Sequence, residues 1–296
     1  MLRKSTLAKK QHRAALLFLM PHFIGFFVFV ILSIAATFVI SFYDWNMINP
    51  AKFVGADNYV KLFTNDSIAV KTGINTLVYT FFTVIFIVAF SLLAALGLSK
   101  DIKGTVFFRT VYFLPAVASL VAVSLVWLFI YNTDHGLLNH VLRFIGIVHP
   151  PAWLSSSKWS LSAVIIMSVW GQIGFFMIIF IAGLKNIPRE LYEAARIDGA
   201  NSWQSFWRIT LPLLSPTTFF VVIMCIINSF QVFEQAFIMT QGGPNFSTTT
   251  AVLYIYNTGF KFHKMGYASS IGWVLFLCIF VVTLIQMRLQ KKWVHY

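Results

Sequence analysis

Charge is scarce in this 296-residue chain: Asp, Glu, Lys and Arg make up 10% of it, and only nine residues are acidic. Soluble domains carry about 25% charge, so a water-facing globule is excluded. Cysteine is nearly absent. The two present, Cys225 and Cys278, lie in separate apolar runs without metal or redox spacing, which rules out a disulfide scaffold and leaves them as small packing residues. The seven histidines (His12, His22, His135, His140, His149, His263 and His295) form no H-x-x-x-H or H-E-x-x-H pattern, so no metal site is expected. There is no G-x-S-x-G nucleophile turn, no phosphate-cradling G-x-x-x-x-G-K and no pair of carboxylates placed for acid–base work. The chain is therefore not read as an enzyme, and no cofactor of its own is expected.

What is abundant is apolar sequence, 58% of the residues. Six stretches approach or exceed the roughly 20 residues that a spanning helix needs: Leu16–Phe42, Thr76–Leu98, Thr110–Tyr131, Leu161–Leu184, Leu213–Phe233 and Tyr267–Met287. Barrel strands would be shorter and would alternate. The first stretch has a basic lead, but it is too long for a signal peptide and no small-residue cleavage site follows it. The reading is an all-α, six-span protein of the lipid bilayer with both termini on one side. Fifteen Lys and Arg fall on the side holding both tails, the 99–109 connector and the 185–212 loop, against seven in the opposite loops. Positive charge favours the cytoplasm, so both termini and that loop are placed there. The formal net charge of +13 is then a basic face on anionic lipid and calls for no nucleic acid.

The loop between the fourth and fifth stretches is far longer than a connection requires. From Glu193 to Pro212 it reads EAARIDGANSWQSFWRITLP. Pro188 suits a first helical position, and Glu190 and Glu193 lie near the positive end of a helix dipole. Ala194 and Ala195 keep that helix thin. Asp198 and Gly199 mark its exit, where glycine takes the left-handed conformation without penalty. A second helix carries Trp203, Phe206, Trp207 and Thr210 at i, i+3, i+4 and i+7, a largely apolar stripe, and Pro212 starts the next span. Composition alone would equally allow an amphipathic hairpin lying on lipid headgroups.

The pattern E-A-A, three residues, G, nine residues, I-x-L-P, met here by Glu193, Ala194, Ala195, Gly199, Ile209, Leu211 and Pro212, resembles the coupling loop of membrane subunits of ATP-binding-cassette (ABC) importers. Trp127–Asn139, WLFIYNTDHGLLN, is similar to a W-x-x-x-(F/Y)-N-x-D-x-G-L-L-N segment of carbohydrate-importer permeases, and Thr240–Pro244, TQGGP, to their T-x-G-G-P turn. Alone, Gly242–Pro244 would pass for an ordinary surface turn. With Ile187–Leu191, IPREL, and the D-G-A at Asp198–Ala200, the likeness runs from about Asn75 to Met287 and points to the maltose, lactose and glycerol-phosphate importer kind.

The resemblance implies a type I importer permease. With the apolar runs and the charge count, the expected division is a basic tail (1–13), which the resemblance does not cover, a first span with its outer connector (14–74), a transmembrane domain of five spans (75–287) containing the coupling loop (185–212), and a second tail (288–296). The resemblance also implies a second homologous permease, two ATPase subunits that bind the ATP and Mg, an external solute-binding protein, and a sugar as substrate, in a prokaryotic cell membrane. Glu193, Ala194, Ala195, Asp198, Gly199, Phe206, Leu211 and Pro212 are the expected ATPase contacts. A secondary transporter is the competing class. It usually shows ionisable residues near the midplane, and none lies near the centre of any of the six stretches.

For the substrate path, Cys225, Asn228, Ser229 and Val232 fall at i, i+3, i+4 and i+7, on one helical face. Asn228 and Ser229 are polar groups within an apolar run, facing either a wet cavity or a neighbouring helix as glue. The fourth span adds Ser168, Trp170, Gln172, Phe175 and Phe176, with Gly171 and Gly174 giving room. Amides and flat apolar rings are the combination that sugar binding uses. The resemblance puts the bound sugar against this face of the fifth span and against the fourth span near Trp170. A non-sugar solute such as glycerol phosphate is the alternative cargo.

Overall fold

The computed structural model describes residues 2–100 and 103–293. The chain begins with α1 (Leu2–Phe26), which continues through a π-helical turn (Phe27–Ile31) into α2 (Leu32–Ile40). A two-stranded antiparallel hairpin follows, β1 (Tyr43–Asp44) with β2 (Lys52–Phe53), pairing Tyr43 with Phe53. Then come α3 (Asp57–Thr64), α4 (Ser67–Leu98), α5 (Thr105–Val117), α6 (Leu120–Ile130), α7 (Leu137–Phe144) and α8 (Ser160–Lys185). The 185–212 loop holds α9 (Arg189–Ile197), α10 (Ser202–Ser205), a π turn (Phe206–Thr210) and the short α11 (Leu211–Leu213). The chain finishes with α12 (Ser215–Phe230), α13 (Glu234–Thr240), α14 (Ala251–Tyr256), a π turn (Asn257–Lys261) and α15 (Met265–Trp293).

Among the described residues four helices are long and apolar enough to cross a membrane: Ala8–Ile40, Ser67–Leu98, Ser160–Lys185 and Met265–Lys291. Two further expected spans are broken. The Thr110–Tyr131 stretch is not one straight helix, because α5 and α6 meet at 99°. Pro115 cannot donate the next helical bond, and the backbone opens to an extended ψ of 150° at Ala118 before Ser119 restarts the helix. The fifth span likewise begins at Ser215 rather than Leu213, after a 64° bend flanked by Pro212 and Pro216. The count is thus four, or six if each bent pair spans once.

The core forms where α4 and α8 lie along one another, with α5 on one side and α12 on the other. Tyr79, Ile87, Met167, Met177, Phe180, Val221 and Cys225 fill it. Small groups set the spacing. The Ser91 hydroxyl donates to the Ile173 carbonyl at 3.1 Å, and a Cβ on Gly174 would collide with the Tyr112 carbonyl of α5. Gly174 is therefore spent on helix approach, not on room for a ligand as expected. The Ala8–Ile40 helix stands apart, with none of its most apolar window buried; Phe38 against Trp273, ring centroids 4.8 Å apart, ties its end to α15.

Candidate functional site

The Glu193 hairpin is closed by its own backbone. Pro188 is the N-cap of α9 rather than its first residue. At the other end Gly199 sits at φ +80°, its N–H donating to Arg196 (3.1 Å) while Ala200 N–H reaches back to Ala195 (2.8 Å). That pair of bonds is a Schellman stop, which glycine accommodates without steric cost. Asn201 then starts α10 with a capping box: its side chain accepts from Gln204 N–H at 2.8 Å, and the Gln204 side chain accepts from Asn201 N–H at 2.9 Å.

The expected stripe of Trp203, Phe206, Trp207 and Thr210 does not survive intact. The π turn Phe206–Thr210 shifts the register, so Thr210 rotates inward and its hydroxyl bonds that of Tyr192 at 2.9 Å, joining the two arms. The aromatic residues remain outside: Trp203 is 68% and Trp207 51% exposed, stacked edge-to-face at 5.6 Å. Ile197 at the tip is 88% exposed, and α9 buries no residue. Glu193, Ala194, Asp198 and Gly199 are all exposed, and Ala195, Phe206, Leu211 and Pro212 half-buried. Behind the hairpin a cleft of about 660 Å³ runs to the ends of α4 and α8, lined by Glu193 and four cations, Lys100, Lys185, Arg189 and Arg196.

At the opposite ends of α4 and α8 the motif residues are consumed internally. The Asn132 side chain accepts from Asp134 and His135 N–H (3.0 and 2.9 Å), and Gly136 packs against carbonyls of Ile130 and Asn132 where a Cβ would not fit. Asn139, fully buried, donates to Thr133 and Pro151 carbonyls and accepts from Trp153 Nε1 at 2.7 Å. The T-x-G-G-P turn is no ordinary surface turn. Gly242 adopts φ +86°, Thr249 Oγ1 donates to its carbonyl (3.0 Å), and Thr248 Oγ1 donates to that of Gly243 (2.9 Å). Asn75 of α4 donates to Phe246 and Thr249 carbonyls, and Ser160 of α8 bonds Ser247.

Between these ends, at the break between α5 and α6, lies a cavity of about 260 Å³. Ser168, Gln172, Phe175 and Phe176 of α8 line it together with Asn228 of α12. The other four expected path residues lie elsewhere. Trp170 is exposed on another face of α8, edge-on to Trp127 at 5.6 Å. Cys225 and Val232 belong to the apolar core, and Ser229 is buried with its hydroxyl unbonded by protein. The i, i+3, i+4, i+7 stripe is wide enough to divide between core and cavity. Gln235 of α13 and the Pro115–Ala118 break also line the cavity and were missed. A proline inside an apolar run was the available signal for the break; Gln235 carried none, because only the fold turns α13 back towards α8.

The sequence matches the family of binding-protein-dependent transport system inner membrane components over residues 87–295. The chain belongs to this family. Such membrane components serve ABC importers, so its role is transport. Among its relatives are the probable ABC transporter permease YesP of Bacillus subtilis (36% identical, covering 100% of this chain and 96% of that one) and the arabinooligosaccharide permease AraP of the same organism (36%; 94% and 88%). The lactose permease LacF of Rhizobium radiobacter is 34% identical, covering 93% of each chain. In structure the chain is similar to one chain of a bacterial ABC transporter that imports the acidic polysaccharide alginate, with TM-score 0.84, 26% identity, and coverage of 97% and 99%.

Proposed function

We propose that this family member is one of two permease chains of an ATP-driven sugar importer, with an oligosaccharide as cargo. The observation that carries the reading is the Glu193–Pro212 hairpin: capped on both sides of its turn, joined across its arms, and presenting Glu193, Ala194, Asp198, Gly199, Trp203 and Trp207 to the outside. Two ATPase subunits, which bind the ATP and Mg, dock there; a solute-binding protein delivers the sugar at the other end. Closure of the ATPases moves the hairpins, and the spans turn the cavity from one side of the membrane to the other. Such a shift requires the hairpin to bind the ATPase differently in the two states. The six-span reading, with both termini and the hairpin in the cytoplasm of a prokaryotic cell, goes with this mechanism.

Cargo class follows from the cavity lining. Ser168, Gln172, Asn228 and Gln235 offer neutral hydroxyl and amide groups beside Phe175 and Phe176, and no charged side chain lines the cavity. Hydroxyl-rich sugars suit such a set, whereas a phosphate ester would call for Arg or Lys. A relative in Agrobacterium fabrum, UgpA, is named for glycerol 3-phosphate transport at 32% identity, so that cargo is the reading to test against. The test is uptake by proteoliposomes holding the complete complex, with the binding protein outside and ATP enclosed. Accumulation of an oligosaccharide from a panel, dependent on both, supports the reading. Accumulation of glycerol phosphate alone, or uptake without ATP, overturns it.

A further inference from the structure

The other end of the molecule holds a carboxylate that the transport reading has not used. Asp66 ends the α3–α4 connection and caps α4: its Oδ1 accepts from Ala69 N–H at 2.9 Å. Its other oxygen, Oδ2, accepts from two phenols, Tyr254 of α14 and Tyr267 of α15, each at 2.5 Å. Lys61 of α3 lies over the Tyr267 ring, 5.0 Å from its centroid. One side chain thus joins α4, α14 and α15, and Lys61 brings α3 onto the same tyrosine. The element it grips through Tyr254 is the direct continuation of the Gly242–Thr250 turn, itself anchored on α4 by Asn75 and by Thr76, whose hydroxyl accepts from Ala251 N–H at 3.0 Å. Charge-assisted bonds of this kind are about twice as strong as neutral ones and directional.

We propose that Asp66 is a positioning residue: its carboxylate clasps α14 and α15 to the head of α4, so that the outer loop presents one fixed docking surface to the solute-binding protein. The proposal rests on the importer reading. A loop held in its bound shape avoids the ordering cost of association, so releasing the clasp weakens docking and leaves the later steps intact. Asp66→Asn keeps a good N-cap and the side-chain size while removing the charge that holds two phenols.

Two measurements test it. In the reconstituted complex, Asp66→Asn raises the binding-protein concentration that half-saturates ATPase stimulation by about tenfold, with basal and maximal rates unchanged, and Tyr254→Phe moves it the same way by less. Asp66→Glu restores most of the loss. A lowered maximal rate with unchanged half-saturation, as partial misfolding gives, overturns the proposal. The second measurement needs no binding protein. Spin labels at Thr64 and Lys261, with Cys225 and Cys278 replaced, give one narrow distance in the parent chain and a broad distribution in Asp66→Asn. An unchanged narrow distance overturns the clasp. Broadening in a complex whose parent ignores the binding protein leaves the clasp standing and removes the importer reading.

Discussion

The two ends of this molecule carry motifs of similar sequence specificity and use them in opposite ways. At the Gly242 end the motif residues are bonded within the chain: Asn139 makes three hydrogen bonds in full burial, and the glycine-rich turn is hooked to α4 and α8 by Asn75 and Ser160. At the Glu193 end the hairpin is held by its caps and the Tyr192–Thr210 bond, and Glu193, Asp198, Trp203 and Trp207 face outward. A motif whose polar groups are satisfied in its own chain is accounted for by folding. A motif left exposed beside large apolar side chains is the pattern of a surface made for a partner protein or for lipid. The same signature strength in sequence therefore has two causes.

The comparison is broken most sharply at the Glu193 end. Gly199→Pro cannot adopt the φ of +80° that closes the hairpin. Together with Glu193→Lys, it should abolish substrate-stimulated ATP hydrolysis and uptake, a loss of at least tenfold, while membrane insertion and detergent stability stay close to the parent. ATPase assays on both variants in the reconstituted complex check this; normal stimulation in both would return the hairpin to a lipid-lying element.

At the other end a substitution should act on stability. Asn139→Leu leaves the buried Trp153 N–H and the Pro151 carbonyl without their partner, while the Thr133 carbonyl keeps Arg143, a cost of roughly 2 kcal/mol. The expected result is a melting midpoint several degrees lower, read by tryptophan fluorescence in detergent, together with reduced yield. If Asn139→Leu is fully stable, the buried bonds of Asn139 do not hold this end together and the contrast fails.

Asn228→Leu addresses the cavity between the two ends. It should change uptake by a few-fold and alter preference across an oligosaccharide panel, with affinity for the binding protein unchanged. Ser229→Ala, on the neighbouring but buried position, should leave preference alone. Equal effects from both would mean that the cavity does not distinguish them. Sidedness is checked by labelling: cysteines at Asp57 and Asn245 should react with an impermeant reagent from outside and one at Asn201 should not.

The smallest expected effect is pH dependence at Asp66. Burial alone would raise its pKa, but the phenols of Tyr254 and Tyr267 and the N–H groups of Ala69 and Ile68 outweigh it and lower the value below 3.8. A depressed carboxylate pKa contributes stability above its unfolded value and loses it as pH falls through the folded one. The melting midpoint should therefore be insensitive to this group above pH 4 or so, and the acid loss below that should be smaller in Asp66→Asn.

Membrane residence, the hairpin and the family were legible from residues alone. They rest on local chemistry: apolar runs long enough to cross a bilayer and a glycine where φ must turn positive. Each is decided within a few residues, so the one-dimensional order suffices. The break in the third apolar stretch was half-legible, since Pro115 was visible but its 99° consequence depends on what packs beside it. The cavity was not legible. Cys225, Asn228, Ser229 and Val232 share a face by spacing, yet which edge of that face meets α4 and which meets the α5–α6 break depends on how α12 is rotated against its neighbours. Gln235 enters the cavity because α13 folds back, and Asp66 meets two tyrosines 188 and 201 residues away. Such contacts are chosen by packing among helices distant in sequence, and only the tertiary structure decides them.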